Sequence, residues 1–259
     1  MIGAYGPSSG VIDMSLFKKM SDYEKDLRSK AESGDIDAMI QLFLDYAHGS
    51  NGIKANEQIA IRWLNMALEK GDARAMGYKG LLLYKQKKYP KALELLEDAY
   101  EAGFKEVAFT LYMYYSEKPT LDEAKASYWI EKSAEDTYSP GSQIKTGNRY
   151  LLGKGVEKDL SKGKQWIDKA FINAKAESND KAECYGSYGY IHQENGETQK
   201  AKECYQEAIK LGRFEYSFLL GGLFEKEGNM EKALEYYQYG ADHDVPACKD
   251  RLKAMKKRR

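Results

Sequence analysis

Three groups of residues in this 259-residue chain are of types that could do chemistry. Cys184, His192 and Cys204 fall within one short stretch, and thiols beside an imidazole are the raw material of a zinc site. Zinc normally takes four ligands with close paired spacing, and the other two histidines, His48 and His243, lie in different parts of the chain. Reduced core thiols are the simpler expectation for Cys184 and Cys204, and an odd cysteine count suits a reducing compartment. Gly153-Lys154-Gly155 resembles a phosphate-cradling turn. No strand precedes it, however, and no Gly-Lys-Ser/Thr follows, so it reads as a turn between helices. The C-terminal run KAMKKRR reads as a solvated helix end that complements the helix dipole, with a nucleic-acid or localisation patch as the other reading. No nucleophile is placed beside a base. The expectation is therefore a non-enzyme with no catalytic residue, no metal and no cofactor.

Composition limits the elements that could position a site. The chain has only four Val and five Thr, the residues that stiffen at χ1 and favour strands. Ala, Leu, Lys and Glu dominate and favour helix. Forty basic residues balance forty acidic ones, which argues against a general grip on nucleic acid. No stretch approaches the roughly 18 apolar residues of a membrane span, and the N-terminus is not a secretory signal. A cytoplasmic protein is expected. The 21 tyrosines suit helix–helix grooves, with the ring packed and the hydroxyl near water.

A repeat organises the chain. All three tryptophans follow a similar phrase (IAIRW, KASYW, KGKQW), and the column they define continues through Trp63, Leu95, Trp129, Trp166, Cys204 and Tyr236. Each is followed four residues later by a small residue. A second phrase precedes each copy, with apolar or small residues at offsets 0, 4, 5 and 8, one face of a helix. Each repeat is thus two helices, A then B. Prolines stand at helix starts and glycines just past helix ends. The pairs fall at about 35–70, 72–102, 104–135, 140–176, 180–211 and 213–243. Residues 1–13 read as a flexible lead, 14–33 as an N-terminal capping helix, 34–244 as the repeat domain, and 245–259 as a C-terminal capping helix with a basic tail. Small residues at Ala60, Ala92, Ala126, Gly163, Ala201 and Ala233 let A and B approach closely.

The fourth copy, SQIKTGNRYLLGKGVEKDLSKGKQWIDKA, resembles the Sel-1-like repeat, a relative of the tetratricopeptide repeat with longer turns. Gly147, Tyr150, Gly153, Gly155, Val156, Asp159, Lys162, Trp166, Lys169 and Ala170 fall in the family's pattern. Copy one matches through Ala38, Leu42, Tyr46, Gly49, Ala60, Trp63 and Ala67. Copies two, five and six read more like tetratricopeptide repeats. The resemblance implies an all-α fold, a right-handed superhelical α-solenoid that serves as a scaffold or adaptor for a protein partner. The cysteine pairs of one disulfide-bearing branch are missing here.

The resemblance also places the A helices along a concave groove. Its lining would be Ile40, Leu44, His48, Leu81, Tyr84, Phe109, Met113, Glu117, Ile144, Asn148, Tyr190 and Phe218. An apolar groove rimmed by charge commonly marks a partner site; the other reading is that curvature buries the stripe as core. A bacterial protein-interaction adaptor comes first, binding neither nucleic acid nor membrane, with homodimerisation left open. An immunity protein that neutralises a toxin is the alternative. A hydrolase of β-lactam or peptidoglycan-like substrates, as claimed for cysteine-rich relatives, represents another class.

Overall fold

The computed structural model describes residues 21–118, 120–173 and 175–256, so the lead and the last three residues lie outside the described residues. Among those described there are fourteen α-helices, one 3-10 turn at Lys105–Val107, and no strand. The chain forms two compact units, residues 1–102 and 103–259. The first holds α1 (Asp22–Glu32), α2 (Ile36–His48), α3 (Glu57–Glu69), α4 (Ala73–Lys85) and α5 (Tyr89–Glu101). The second holds α6 (Ala108–Ser116), α7 (Glu123–Asp136), α8 (Pro140–Leu152), α9 (Leu160–Ile172), α10 (Ser178–Glu194), α11 (Thr198–Lys210), α12 (Tyr216–Lys226), α13 (Met230–Asp242) and α14 (Pro246–Lys256). Within each unit every helix packs against the next in chain order, and the tightest contacts join A to B: α2 to α3, α4 to α5, α6 to α7, α8 to α9, α10 to α11 and α12 to α13.

One hydrogen bond recurs in every repeat. The backbone N–H of the residue before helix B donates to the carbonyl of the residue at offset 8 of the helix A phrase. The pairs are Asn56 to Tyr46 (2.8 Å), Lys88 to Leu83 (2.9 Å), Asp122 to Tyr115 (2.8 Å), Asp159 to Tyr150 (2.9 Å), Glu197 to His192 (2.8 Å) and Asn229 to Phe224 (2.9 Å). In copies two, five and six the two residues are close in sequence. In copies one, three and four a longer loop bulges from the same closure. Each of these long turns ends in an Asn or Asp whose side chain caps the new helix, by Asn56 accepting from Ile59, Asp122 from Lys125 and Asp159 from Lys162. The long turn is thus an insertion into a fixed helical-hairpin frame.

The Trp column is buried, with Trp63, Trp129 and Trp166 at most 6% exposed. The deeper column lies one residue later: Leu64, Leu96, Ile130, Ile167, Tyr205 and Tyr237, all at 2% or less. Burying such side chains stabilises by about 1.5–3 kcal/mol each. Helix A makes room for them with glycine. A Cβ on Gly80 would stand 2.8 Å from Leu96, on Gly147 2.7 Å from Ile167, on Gly189 2.4 Å from Tyr205, and on Gly221 2.7 Å from Tyr237. Lacking a Cβ, these positions let the B-helix side chain lie on the A-helix backbone.

Tyrosines tie packed helices together through acidic partners. Tyr150 donates to Glu131 (2.8 Å), Tyr188 to Asp168 (2.9 Å) and Tyr237 to Glu225 (2.7 Å), and Tyr46 donates to Glu24 of α1. Burial, reinforced for several by these carboxylates, pushes the phenol of Tyr237 up to about 12, and burial does the same for Tyr216. Tyr46, Tyr188 and Tyr205 are raised further, burial again the largest cause. The native state holds protons that the unfolded chain releases near 10. Stability is therefore fully present below pH 10 and falls as pH rises from about 10 to about 12. Urea midpoints should be flat up to that window and drop within it, with tyrosinate absorbance rising as helical circular dichroism is lost. Complete tyrosinate formation with the helices intact would contradict this packing.

Candidate functional site

The expected stripe resolves into residues of different character. Ile40 and Ile144 are core, 4% and 1% exposed, which corrects their expected place on a groove. Ile40 belongs to a cluster with Ala31 of α1 and Trp63 and Leu64 of α3, and Ile144 to one with Ile167 and Ala170 of α9 and Cys184 of α10. Each sits in the first half of its A helix, where neighbouring helices close over it. In the first unit Leu44, Leu81 and Tyr84 are half-buried and His48 is exposed in the last turn of α2. Leu44 packs on the core, and Tyr84 meets Tyr89 edge-on at 5.4 Å.

In the second unit the stripe keeps an accessible surface. On α6, Phe109 is 38% exposed with its ring 5.6 Å from Tyr112; Met113 is half-buried and Glu117 exposed. Phe218 on α12 is half-buried against Tyr237. Between them, α8 and α10 bring polar groups together. Ser187, itself buried, donates to the Asn148 carbonyl oxygen at 2.7 Å. That bond orients the Asn148 side chain. Tyr190 accepts from Lys158 Nζ at 3.2 Å, and Lys158 also pairs with Glu194 at 2.5 Å. The hydrogen bonds to Glu194 and Tyr190 raise the Lys158 pKa and hold it as a cation. An oriented side-chain amide, a phenol and a cation–carboxylate pair thus lie on α8, α10 and the turn between α8 and α9. Such a set can engage both the backbone and the side chains of a peptide segment.

Sequence reasoning placed Asn148 and Tyr190 but missed Ser187, Lys158 and Glu194. Lys158 comes from the A-to-B turn of copy four and reaches the next repeat, a relation that helix periodicity does not encode.

That turn also ties two repeats together. Arg149, 8% exposed, donates through Nε to Ser127 Oγ at 2.5 Å and through its guanidinium to the Glu123 carbonyl at 2.9 Å and to the Glu123 carboxylate. Ser127 in turn donates to the Lys154 carbonyl at 2.5 Å. The turn is fastened to the start of α7, so the expectation of a structural turn at Gly153–Gly155 holds. In the first unit Asp45 precedes the column tyrosine as Arg149 does. Fully buried, it accepts from Tyr23, Gln41, Ser50 and Asn51 at 2.7–3.1 Å. These donors satisfy its buried carboxylate within the protein.

The three cysteines are free thiols. Burial pushes Cys184 up to about 12 and Cys248 up to about 11, and raises Cys204 as well. Thiols held protonated in this way are poor nucleophiles and poor metal ligands.

With this geometry in place, comparison with known proteins is direct. The Sel1 repeat pattern matches residues 36–72, 106–138 and 140–171. The tetratricopeptide repeat pattern matches 58–104 and 189–245. The Sel1 matches centre on the long-turned copies one, three and four and the tetratricopeptide matches on the short-turned copies two, five and six, the first tetratricopeptide match beginning already in α3 of copy one. A protective antigen of uropathogenic Escherichia coli with an SLR fold superposes at a TM-score of 0.71 over 91% of this chain, with 22% identity. This chain spans about half of that protein, 52% of its length. PilF of Pseudomonas aeruginosa gives 0.56 over 88% of this chain and 99% of its own, at 17% identity. A Sel1 repeat protein of Oxalobacter formigenes gives 0.55 over 90% and 79%, at 18% identity. At these identities the likeness establishes the fold, an all-α array of helical hairpins.

Proposed function

We propose that this chain, built of Sel1-like and tetratricopeptide repeats, is a non-catalytic adaptor that binds a protein partner on the A-helix surface of its second unit. Repeats of these families generally mediate protein–protein interaction. The observation that carries the reading here is the Asn148–Ser187 and Tyr190–Lys158–Glu194 set between α8 and α10, together with the exposed ring of Phe109 on the A helix α6. An extended segment, or an element protruding from a folded partner, would place apolar side chains on the rings and its backbone amides on Asn148 and Tyr190. The protonated thiols support a non-enzymatic role. They also suit a reducing, cytoplasmic setting, and among the described residues no helix is long and apolar enough to cross a membrane.

Site-specific photo-crosslinking tests the reading. A crosslinking amino acid at Phe109 and, separately, at Tyr190 should capture one and the same protein in cells. The same group at exposed Glu203 on α11 should not capture it. Capture from position 203 alone would move the binding surface to the B helices and end the proposal.

A further inference from the structure

In the first unit, the turn after α2 holds a reactive pair of residues, Asn51 and Gly52. They form the middle of a turn closed by the Ile53 N–H, which donates to the Ser50 carbonyl at 2.9 Å. Their φ angles are +52° and +78°, as in the mirror-image turns that favour Asn-Gly. Both residues are exposed. The Gly52 N–H finds no acceptor among the described residues, and a Cβ on Gly52 would meet nothing within 4 Å. The Asn51 side-chain nitrogen donates to the fully buried Asp45 carboxylate at 2.8 Å and lies 3.5 Å from the Tyr23 hydroxyl. The chain's other Asn-Gly pair, Asn195–Gly196, is built differently. Asn195 closes α10 at φ −80° and ψ 0°, and the Gly196 N–H donates to the Gln193 carbonyl at 3.1 Å.

We propose that Asn51 is a site of self-modification, converting to aspartate and isoaspartate through a cyclic imide formed with Gly52. The Gly52 amide gives its proton to solvent base, and its nitrogen attacks Asn51 Cγ. The new N–Cγ bond closes the ring. The Cγ–Nδ2 bond then breaks, and Nδ2 takes a proton from water and leaves as ammonia. Water opens the ring at either carbonyl, and nothing is oxidised or reduced. Glycine leaves the attacking nitrogen unobstructed. Asp45 touches the leaving nitrogen, and a carboxylate holds a nitrogen that is gaining a proton more strongly than it holds a neutral amide. At Asn195 the reaction must first break the Gly196–Gln193 hydrogen bond, which slows it by about fivefold. The product changes the fold locally. A carboxylate at position 51 meets the Asp45 carboxylate where an amide had donated, so like charges face each other and a donor is lost. Asp45 also holds α1 through Tyr23, at 2.9 Å, so the α1–α2 junction loosens as the protein ages. This site is independent of the A-helix set around Asn148, and either proposal can fail without the other.

The test uses the full chain, folded and guanidinium-unfolded, aged in mildly alkaline buffer made with heavy-oxygen water. Peptide mapping by mass spectrometry should find heavy oxygen at position 51 of the folded chain, in both aspartate and isoaspartate. Conversion at 51 should outrun conversion at 195 by about fivefold or more, and the ratio should fall to near one in the unfolded chain. Asp45→Asn should slow conversion at 51 by roughly tenfold and leave 195 unchanged. The ratio is read on the parent chain, so the test decides even where Asp45→Asn does not fold. Asn51→Asp, which stands for the product, should speed hydrogen exchange of the α1 amides by roughly fivefold. Equal conversion at 51 and 195 in the folded chain, the same ratio in folded and unfolded chains, or aspartate without isoaspartate would overturn the proposal. Unaltered α1 exchange in Asn51→Asp would overturn the link to the α1–α2 junction.

Discussion

Trp166→Ala should cost the protein about 3–5 kcal/mol, the range for truncating a large buried aromatic side chain. The ring is 6% exposed and shares a cluster with Ala134 of α7 and Tyr150 of α8, while Val156 of the long turn packs against it. It therefore touches its own repeat and the one before. Lys169 lies over the ring at 4.1 Å, a further contact that the alanine loses. Because a repeat contacts its neighbours and little else, the damage should spread along the chain rather than stay local. Urea denaturation should give the free-energy change, and hydrogen exchange should show α7, α8 and α9 losing protection together. A change near zero with unaltered exchange would mean that the Trp column does not join repeats.

Gly155→Ala is the second large effect, and it needs only one carbon. Gly155 sits at φ +67°, where an L-residue pays about 1–2 kcal/mol. A Cβ there would also stand 1.8 Å from the Glu123 carbonyl oxygen, and backbone on both sides cannot yield as a side chain could. The turn must lift from α7, loosening the Ser127–Lys154 bond and the Arg149 contacts, so overpacking of about 1–3 kcal/mol adds to the conformational term. Gly196→Ala is the matched control. Gly196 has φ +75° and nothing within 4 Å of the added carbon, so only the conformational cost applies. Chemical denaturation of both variants should show the Gly155 change clearly larger, with the amides that open α7 exchanging faster in that variant alone. Equal losses would show that the turn is not seated on α7.

How much of this could be read in advance follows from what each feature depends on. The helix pairs were legible because hydrophobic period, proline starts and glycine ends are local. Glycines at 34, 49, 71, 103, 153, 196, 212 and 228 all take positive φ. The Trp column was legible because three rare residues fell in register. The deeper column at 64, 96, 130, 167, 205 and 237 was equally present, an apolar residue after each Trp-column position, but nothing in its mixed Leu, Ile and Tyr drew the eye. Its glycine seats on helix A read as generic small residues until facing side chains were placed on them. The candidate site was only partly legible. Offset within the repeat led to Asn148, Tyr190 and Phe109, which the structure leaves at least partly accessible. It also swept in Ile40 and Ile144, because helix periodicity fixes a face and not how far the neighbouring helices extend over it. Lys158, Ser187, Arg149 and Asp45 act through partners from other elements, which one strand of sequence does not reveal.

The A-helix surface of the second unit is the place proposed for partner binding. Calorimetry of Phe109→Ala against the protein captured from positions 109 and 190, with melting curves alongside, tests it most directly. A true aromatic anchor is worth about 2 kcal/mol or more, so affinity should fall by roughly thirtyfold. The melting temperature should barely move, because a ring 38% exposed contributes little to the core. Unchanged affinity with a large drop in melting temperature would contradict the account and return Phe109 to the core.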